Sequence, residues 1–234
     1  MKRAEKMCVG EYYHLYNRGV RHENIFFEKA DYIRFIFLLL YCQLPSPLAN
    51  NDYHSRLFEA HGAFYMYANR EQIRSALLKR RVELVNFCLM PNHFHLTVRA
   101  CEDSGVSKYM QRVLNAYTKY FNIRHKKTGH LFEGPYGAVR VKSDTQLLHL
   151  SAYIHRNPRS LPEWRNKEDR YPYSSLPDYV GKNRWGELLK HDIVLGQFSE
   201  DEPNLRIQSY KKFIETSSAK AIESKLDDEH LRAD

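Results

Sequence analysis

The sequence predicts an α+β fold, and three observations carry that reading. Strict alternation surrounds His93, Phe94 and His95, a second apolar strand precedes it across Pro91-Asn92, and long stretches with helical period lie on both sides. Taken in order, Glu11 to Arg18 alternates as a strand and ends at Gly19, a flexible turn residue. Lys29 to Cys42 reads as a helix with Asp31 in its first turn, where a carboxylate suits the helix dipole. Its apolar run, Phe35 to Cys42, is far short of the ~20 residues that span a bilayer, so it is a core helix. Gln43 to Asp52, with Pro45, Pro47, Asn50 and Asn51, is a loop, and Arg70 to Arg80 a short basic helix. Val82 to Met90 is a strand apolar on both faces. Pro91-Asn92 then turns it into an antiparallel partner that begins at His93. Gly105 to Arg124 forms a long helix whose stripe of Val106, Met110, Val113, Tyr117 and Phe121 marks Tyr117 as core. Tyr136 to Lys142 is a further strand. Ser143 and Gln146 have capping-box spacing, and Pro158 disfavours helical geometry at Asn157, so a helix runs from about Asp144 to Arg156.

A chain of 234 residues is long enough for one domain with a substantial core. Its 36 Lys and Arg against 28 Asp and Glu give a net charge of +8. From Glu200 onward nine acidic side chains face six basic ones, a net −3, which leaves +11 on residues 1–199. Such a basic body suits a phosphate backbone, whose neutralisation dominates nucleic-acid affinity. The four cysteines have no Cys-x-x-Cys spacing, and the N-terminus does not resemble a signal peptide, so reduced thiols in a cytoplasmic protein with no membrane partner are expected. Ala219 to Asp234 reads as a polar, weakly ordered tail.

Two constellations carry chemistry. In the strand from His93, Phe94, Leu96 and Val98 fill one face while His93, His95, Thr97 and Arg99 line the other. Two imidazoles side by side make two-thirds of a candidate metal site, the alternative being a hydrogen-bonding pair. On the later helix, Leu147, Leu150 and Ile154 form a buried stripe, whereas Gln146, His149, Tyr153 and Asn157 share a polar one. Tyr153 is there a candidate nucleophile and the Asn157 carbonyl a candidate third ligand. The other reading makes Tyr153 a core-edge residue and Asn157 only a helix cap.

With Pro91-Asn92-His93-Phe94-His95-Leu96 and Tyr153-Ile154-His155-Arg156-Asn157-Pro158 in that order, the chain resembles the HUH single-tyrosine transposases, most closely the REP-associated tyrosine transposases. The likeness extends over Tyr13-His14-Leu15-Tyr16-Asn17-Arg18-Gly19, Asn115 to Asn122, Gly129-His130-Leu131-Phe132-Glu133-Gly134 and Tyr171-Pro172-Tyr173-Ser174-Ser175. Members usually carry a basic residue where this chain has Pro135-Tyr136-Gly137, and Trp-Pro-Trp where it has Tyr171-Pro172-Tyr173. The resemblance implies a central antiparallel sheet carrying the His-x-His strand, with helices packed on it. It implies a transposase domain over residues 1–180 with an insertion around 43–70, succeeded by a C-terminal extension over 181–234.

It further implies a divalent ion held by His93, His95 and Asn157, and attack by Tyr153 on single-stranded, hairpin-forming DNA to give a 5′-phosphotyrosine. Imidazoles alone admit Zn²⁺ or Mn²⁺, the amide and phosphate oxygens pull toward Mg²⁺ or Mn²⁺, and the resemblance selects Mg²⁺ or Mn²⁺. Because a phenol titrates near pH ~10, its proton must leave with help, and His149, one turn earlier, is a possible helper. Arg18 and the helix end Lys119, Arg124, His125, Lys126 and Lys127 are candidate DNA contacts, or else a solvated helix end. Monomer and homodimer both remain open. Two other functions compete: a hairpin-DNA-binding regulatory or architectural protein without cleavage, and a metal hydrolase unrelated to DNA.

Overall fold

A computed structural model describes residues 7–45, 58, 75–199 and 201–226. Four strands form one antiparallel sheet in the order β2-β3-β1-β4, with β1 Tyr12–Arg18, β2 Val82–Met90, β3 His93–Ala100 and β4 Gly137–Val141. The sheet is therefore central and mixed with helices, as expected. The β2–β3 hairpin turns at Pro91-Asn92, and a bulge between Leu84 and Asn86 shifts its register. Gly19 is extended rather than turned (φ −66°, ψ 147°), and glycine is required there for closeness: a Cβ would lie 2.1 Å from the Glu23 carbonyl oxygen.

The alternation read in β3 separates two cores. Phe94, Leu96 and Val98 join Tyr13 and Leu15 of β1 under helix α1 (Lys29–Tyr41) and helix α2 (Gly105–His125). Tyr117 lies in this core, with its hydroxyl donating to the Ile25 carbonyl at 2.5 Å, and burial pushes its phenol far up. On the opposite face, Cys88, Met90 and Val141 meet Leu147, Leu150 and Ile154 of helix α3 (Asp144–Arg156). Burying two full faces of one sheet is what stabilises a chain of this length, at roughly 25 cal/mol per Å² of apolar area removed from water.

Ser143 caps α3, accepting from Gln146 N at 3.1 Å, while Gln146 Oε1 accepts from Lys142 N at 2.7 Å. Beyond Arg156, Asn157 stays helical (φ −47°, ψ −42°) despite Pro158. The chain avoids the proline clash by tightening into a 3₁₀ turn over Asn157–Ser160.

Helices α4 (Leu176–Val180), α5 (Asp192–Leu195), α6 (Pro203–Thr216) and α7 (Ala219–Glu223) complete the order, and α6 buries Tyr210 and Ile214 in the second core. His155 of α3 is fully buried between Tyr210 Oη at 2.6 Å and Ser175 Oγ at 2.8 Å, and burial pushes its imidazole down to about 3. Of the tail read as weakly ordered from about 219, Ala219–Glu223 form α7, with Ile222 buried in it and Leu226 buried beyond it; the chain after 226 lies outside the described residues. Most of the insertion around 43–70 also lies outside them, and of the basic helix read over Arg70 to Arg80, residues 75–78 are helical. No helix among the described residues is long and apolar enough to cross a membrane.

Candidate active site

Cross-strand register builds the site. Opposite residues in an antiparallel pair share a face, and β1 sets His14 against Thr97, Tyr16 against His95 and Arg18 against His93. The two histidines of β3 thus stand beside His14, Tyr16 and Arg18. Helix α3 crosses over them, so the polar face is covered and His95 and Thr97 are fully buried.

His93 and His95 lie nearly perpendicular, with ring centroids 5.2 Å apart. The Tyr153 ring meets His95 edge-on at 5.4 Å and 81°, and meets His14 at 6.4 Å. Its hydroxyl is buried and makes no hydrogen bond to any described residue. Leaving such a group unsatisfied costs about 1–3 kcal/mol. One turn on, Asn157 Oδ1 approaches His93 Nε2 at 3.3 Å, while its Nδ2 donates to the Tyr153 carbonyl at 3.2 Å. Asn157 is therefore both a helix cap and a partner of His93. A cavity of about 430 Å³ opens here, lined by His93, Tyr153, Arg156, Asn157, Arg159 and Ser160 together with Ile222 and Glu223 of α7.

The donor set fits a hard or borderline divalent cation. Asn92 Oδ1 lies 2.8 Å from His93 Nδ1, and the Asn157 amide is oriented with its oxygen toward His93 Nε2. With oxygens on both sides of the ring, one proton on Nδ1 and a cation at Nε2 satisfy every lone pair. Two donors 3.3 Å apart are spaced as neighbouring ligands of such an ion, given metal–ligand distances of about 2.1 Å. Among the described residues, one group of three His, Cys, Asp or Glu ligand atoms gathers within 4.8 Å, and it lies elsewhere, at Glu28, Asp31 and His125. It already holds its cation: Arg124 is 2.5 Å from Glu28, and Asp31 accepts from the Phe27 and Glu28 amides and contacts His125 at 3.0 Å.

The predicted DNA contacts are scattered. Arg18 lies beside His93 in the sheet and pairs with Glu133. Lys119 is exposed in a groove of about 830 Å³ between α2 and residues 130–135. Arg124 and His125 face Glu28 and Asp31, and Lys127 sits 3.8 Å from Glu23 and 5.0 Å over the Phe27 ring. Lys126 is exposed at the left-handed end of α2 (φ 52°). None of Lys119, Arg124, His125, Lys126 or Lys127 lines the cavity at Tyr153. His149 does not line it either: its ring lies against Phe213 of α6 at 5.3 Å, and burial, then Lys225, push its imidazole down.

Sequence reasoning passed over His14, Asn92, Arg156 and Arg159. The alternation of His14, Tyr16 and Arg18 was a usable signal for the first, but the β1–β3 register was not. Arg156 donates to the carbonyls of Ile214 and Ser217, and burial, with Arg159 beside it, pushes its guanidinium down.

Comparison with known proteins bears on this stretch. The family model described as "Transposase IS200 like" matches residues 63–157. A solved structure described as a REP-associated tyrosine transposase bound to a REP hairpin is similar at 14% identity and a TM-score of 0.43, covering 86% of this chain and 96% of that one. No curated protein matches. The stretch similar to the IS200-like transposase model, residues 63–157, contains the His93–His95 pair, Tyr153 and Asn157.

Proposed function

We propose that the chain cleaves and rejoins single-stranded, hairpin-forming DNA, with Tyr153 as nucleophile and His93, His95 and Asn157 as ligands for Mg²⁺ or Mn²⁺. The observation that carries this is Tyr153, whose hydroxyl is buried without a hydrogen bond and whose ring meets His95 edge-on, one helical turn from Asn157. A structural tyrosine in such a place finds a partner. The similarity of residues 63–157 to the IS200-like transposase model supports the reaction class, and the motif resemblance to REP-associated members supports a hairpin substrate.

When bound, the ion supplies Lewis-acid polarisation and orientation of a phosphate. Tyr153 Oη forms a bond to phosphorus as the bond from phosphorus to the 3′ oxygen breaks. The phenolic proton leaves to solvent, and the departing 3′ oxygen takes up a proton to become a hydroxyl. A 5′-phosphotyrosine results, which keeps the phosphodiester's energy, so another 3′-hydroxyl reverses the attack and joins strands without ATP. Arg156 and Arg159, on the cavity wall, place positive charge where a phosphate would enter.

The test is covalent capture. Incubation with a hairpin oligonucleotide and Mn²⁺ is expected to give an adduct stable to denaturation, with the 5′ phosphate on Tyr153 by peptide mass mapping. Tyr153→Phe should fold and bind the hairpin yet give no adduct. An adduct on Tyr117 or Tyr120, or one that persists in the Phe variant, overturns the assignment.

A further inference from the structure

We propose that His14 and Asn92 are positioning residues that fix the rotation and proton placement of the two histidines, so that both rings offer Nε2 to one ion. This rests on the metal-binding reading above. His14 Nε2 lies 2.8 Å from His95 Nδ1, both rings are fully buried, and they stack at 5.0 Å and 16°. A ring with Nδ1 engaged can bind a cation only through Nε2. For His95 Nε2 to keep its lone pair, Nδ1 must carry the proton and His14 must accept it, which makes His14 a neutral imidazole protonated on its own Nδ1.

Asn92 does the same for His93 by a different route. Its Oδ1 is 2.8 Å from His93 Nδ1, and its Nδ2 donates to the His22 carbonyl at 3.3 Å, which settles which end of the amide faces the ring. The carbonyl is presented by a strained turn: Arg21 and His22 both adopt left-handed backbone (φ 55° and 61°). The turn is clamped to the hairpin, since Gly19 N donates to the Asn92 carbonyl at 2.8 Å. Both residues thus occupy the Nδ1 side, while on the side of α3 His93 Nε2 faces Asn157 Oδ1 at 3.3 Å and the His95 ring meets Tyr153 edge-on at 5.4 Å. Outer partners of this kind raise ligand basicity and hold ring orientation, and their loss typically weakens metal affinity by about 10–100-fold.

The experiment is Mn²⁺ titration of the full chain monitored by electron paramagnetic resonance, with histidine nitrogen shifts read by NMR in the metal-free protein. His14→Leu and Asn92→Ala should each weaken Mn²⁺ binding at least about tenfold, with circular dichroism and metal-free hairpin binding unchanged. His14→Gln and Asn92→Asp restore an acceptor oxygen and should stay near wild type. In wild type, His93 and His95 should both carry a proton on Nδ1. Unmoved affinity in the Leu and Ala variants, equal loss in the loss and rescue variants, or a bare Nδ1 on either ring overturns the proposal. If wild type binds Mn²⁺ and the variants do not differ, only the positioning role falls. Should wild type bind none, the metal reading falls and this one with it.

Discussion

Asn157 Oδ1 stands 3.3 Å from His93 Nε2, and the same amide is tied through its nitrogen to the carbonyl of Tyr153. The proposed nucleophile's own backbone therefore sets the orientation of a proposed ligand. Any rotation of the end of α3 moves both at once, so the Asn157 oxygen and the Tyr153 side chain stay in register with each other.

Replacing that amide should separate its two roles. Asn157→Asp keeps the oxygen and adds charge, so Mn²⁺ affinity is expected to rise; Asn157→Leu removes the oxygen, and hairpin cleavage should disappear. His93→Ala or His95→Ala should likewise abolish cleavage with hairpin binding largely intact. Gel cleavage and filter binding on the same preparations check this, and a histidine double variant that still cleaves would falsify the ligand assignment.

The salt dependence of DNA binding should sort the basic residues. Lys119 and Lys126 are exposed, whereas Lys127 sits beside Glu23. Removing Lys119 and Lys126 together is expected to flatten the slope of log K against log salt by about 1.5, the release of roughly two counter-ions. Lys127→Ala should change it less, because part of its charge is already matched. Equal slopes in all variants assign these lysines to a solvated surface.

His155 makes stability fall with acid. Its folded pKa of about 3 lies below the unfolded value near ~6.5, so between those limits the unfolded chain binds the extra proton and stability drops as pH falls. From pH 7 to pH 5 that contribution is a loss of about 2 kcal/mol. Urea denaturation at the two pH values reads it, and His155→Gln should show a shallower dependence than wild type.

Tyr210→Phe tests the same network from the other side. The hydroxyl lies 2.6 Å from both Ser151 Oγ and His155 Nδ1, all of them buried. Its removal strands two polar groups and should cost about 1–3 kcal/mol in thermal or chemical unfolding. A change within error would mean the cavity admits a replacement donor.

Much of the sheet and both chemical segments were legible because local signals agreed with tertiary demand. Alternation across His93 to Arg99 placed the strand faces correctly, and Ser143, Gln146 and the Leu147, Leu150, Ile154 stripe placed α3. The features that stayed hidden depend on pairing between distant residues. Nothing local to His14 specifies that Tyr16 lies opposite His95, so a buried histidine against the site looked like part of an ordinary strand. The cations at the end of α2 read as a DNA-facing cluster because Glu28, Asp31 and Glu23 are far away in sequence and close only after folding. The tail looked polar throughout, and two buried apolar residues, Ile222 in α7 and Leu226 after it, are too few to show a period.

Tyr153 is the one tyrosine among the described residues that lines the cavity beside His93. On the proposed chemistry this limits stoichiometry: a single site captures one DNA terminus per event and must release it before taking another. A transposed DNA segment has two ends. Its transfer therefore requires either two molecules of this chain acting together or two consecutive turnovers by one, and the order of the reaction in protein concentration tells these apart.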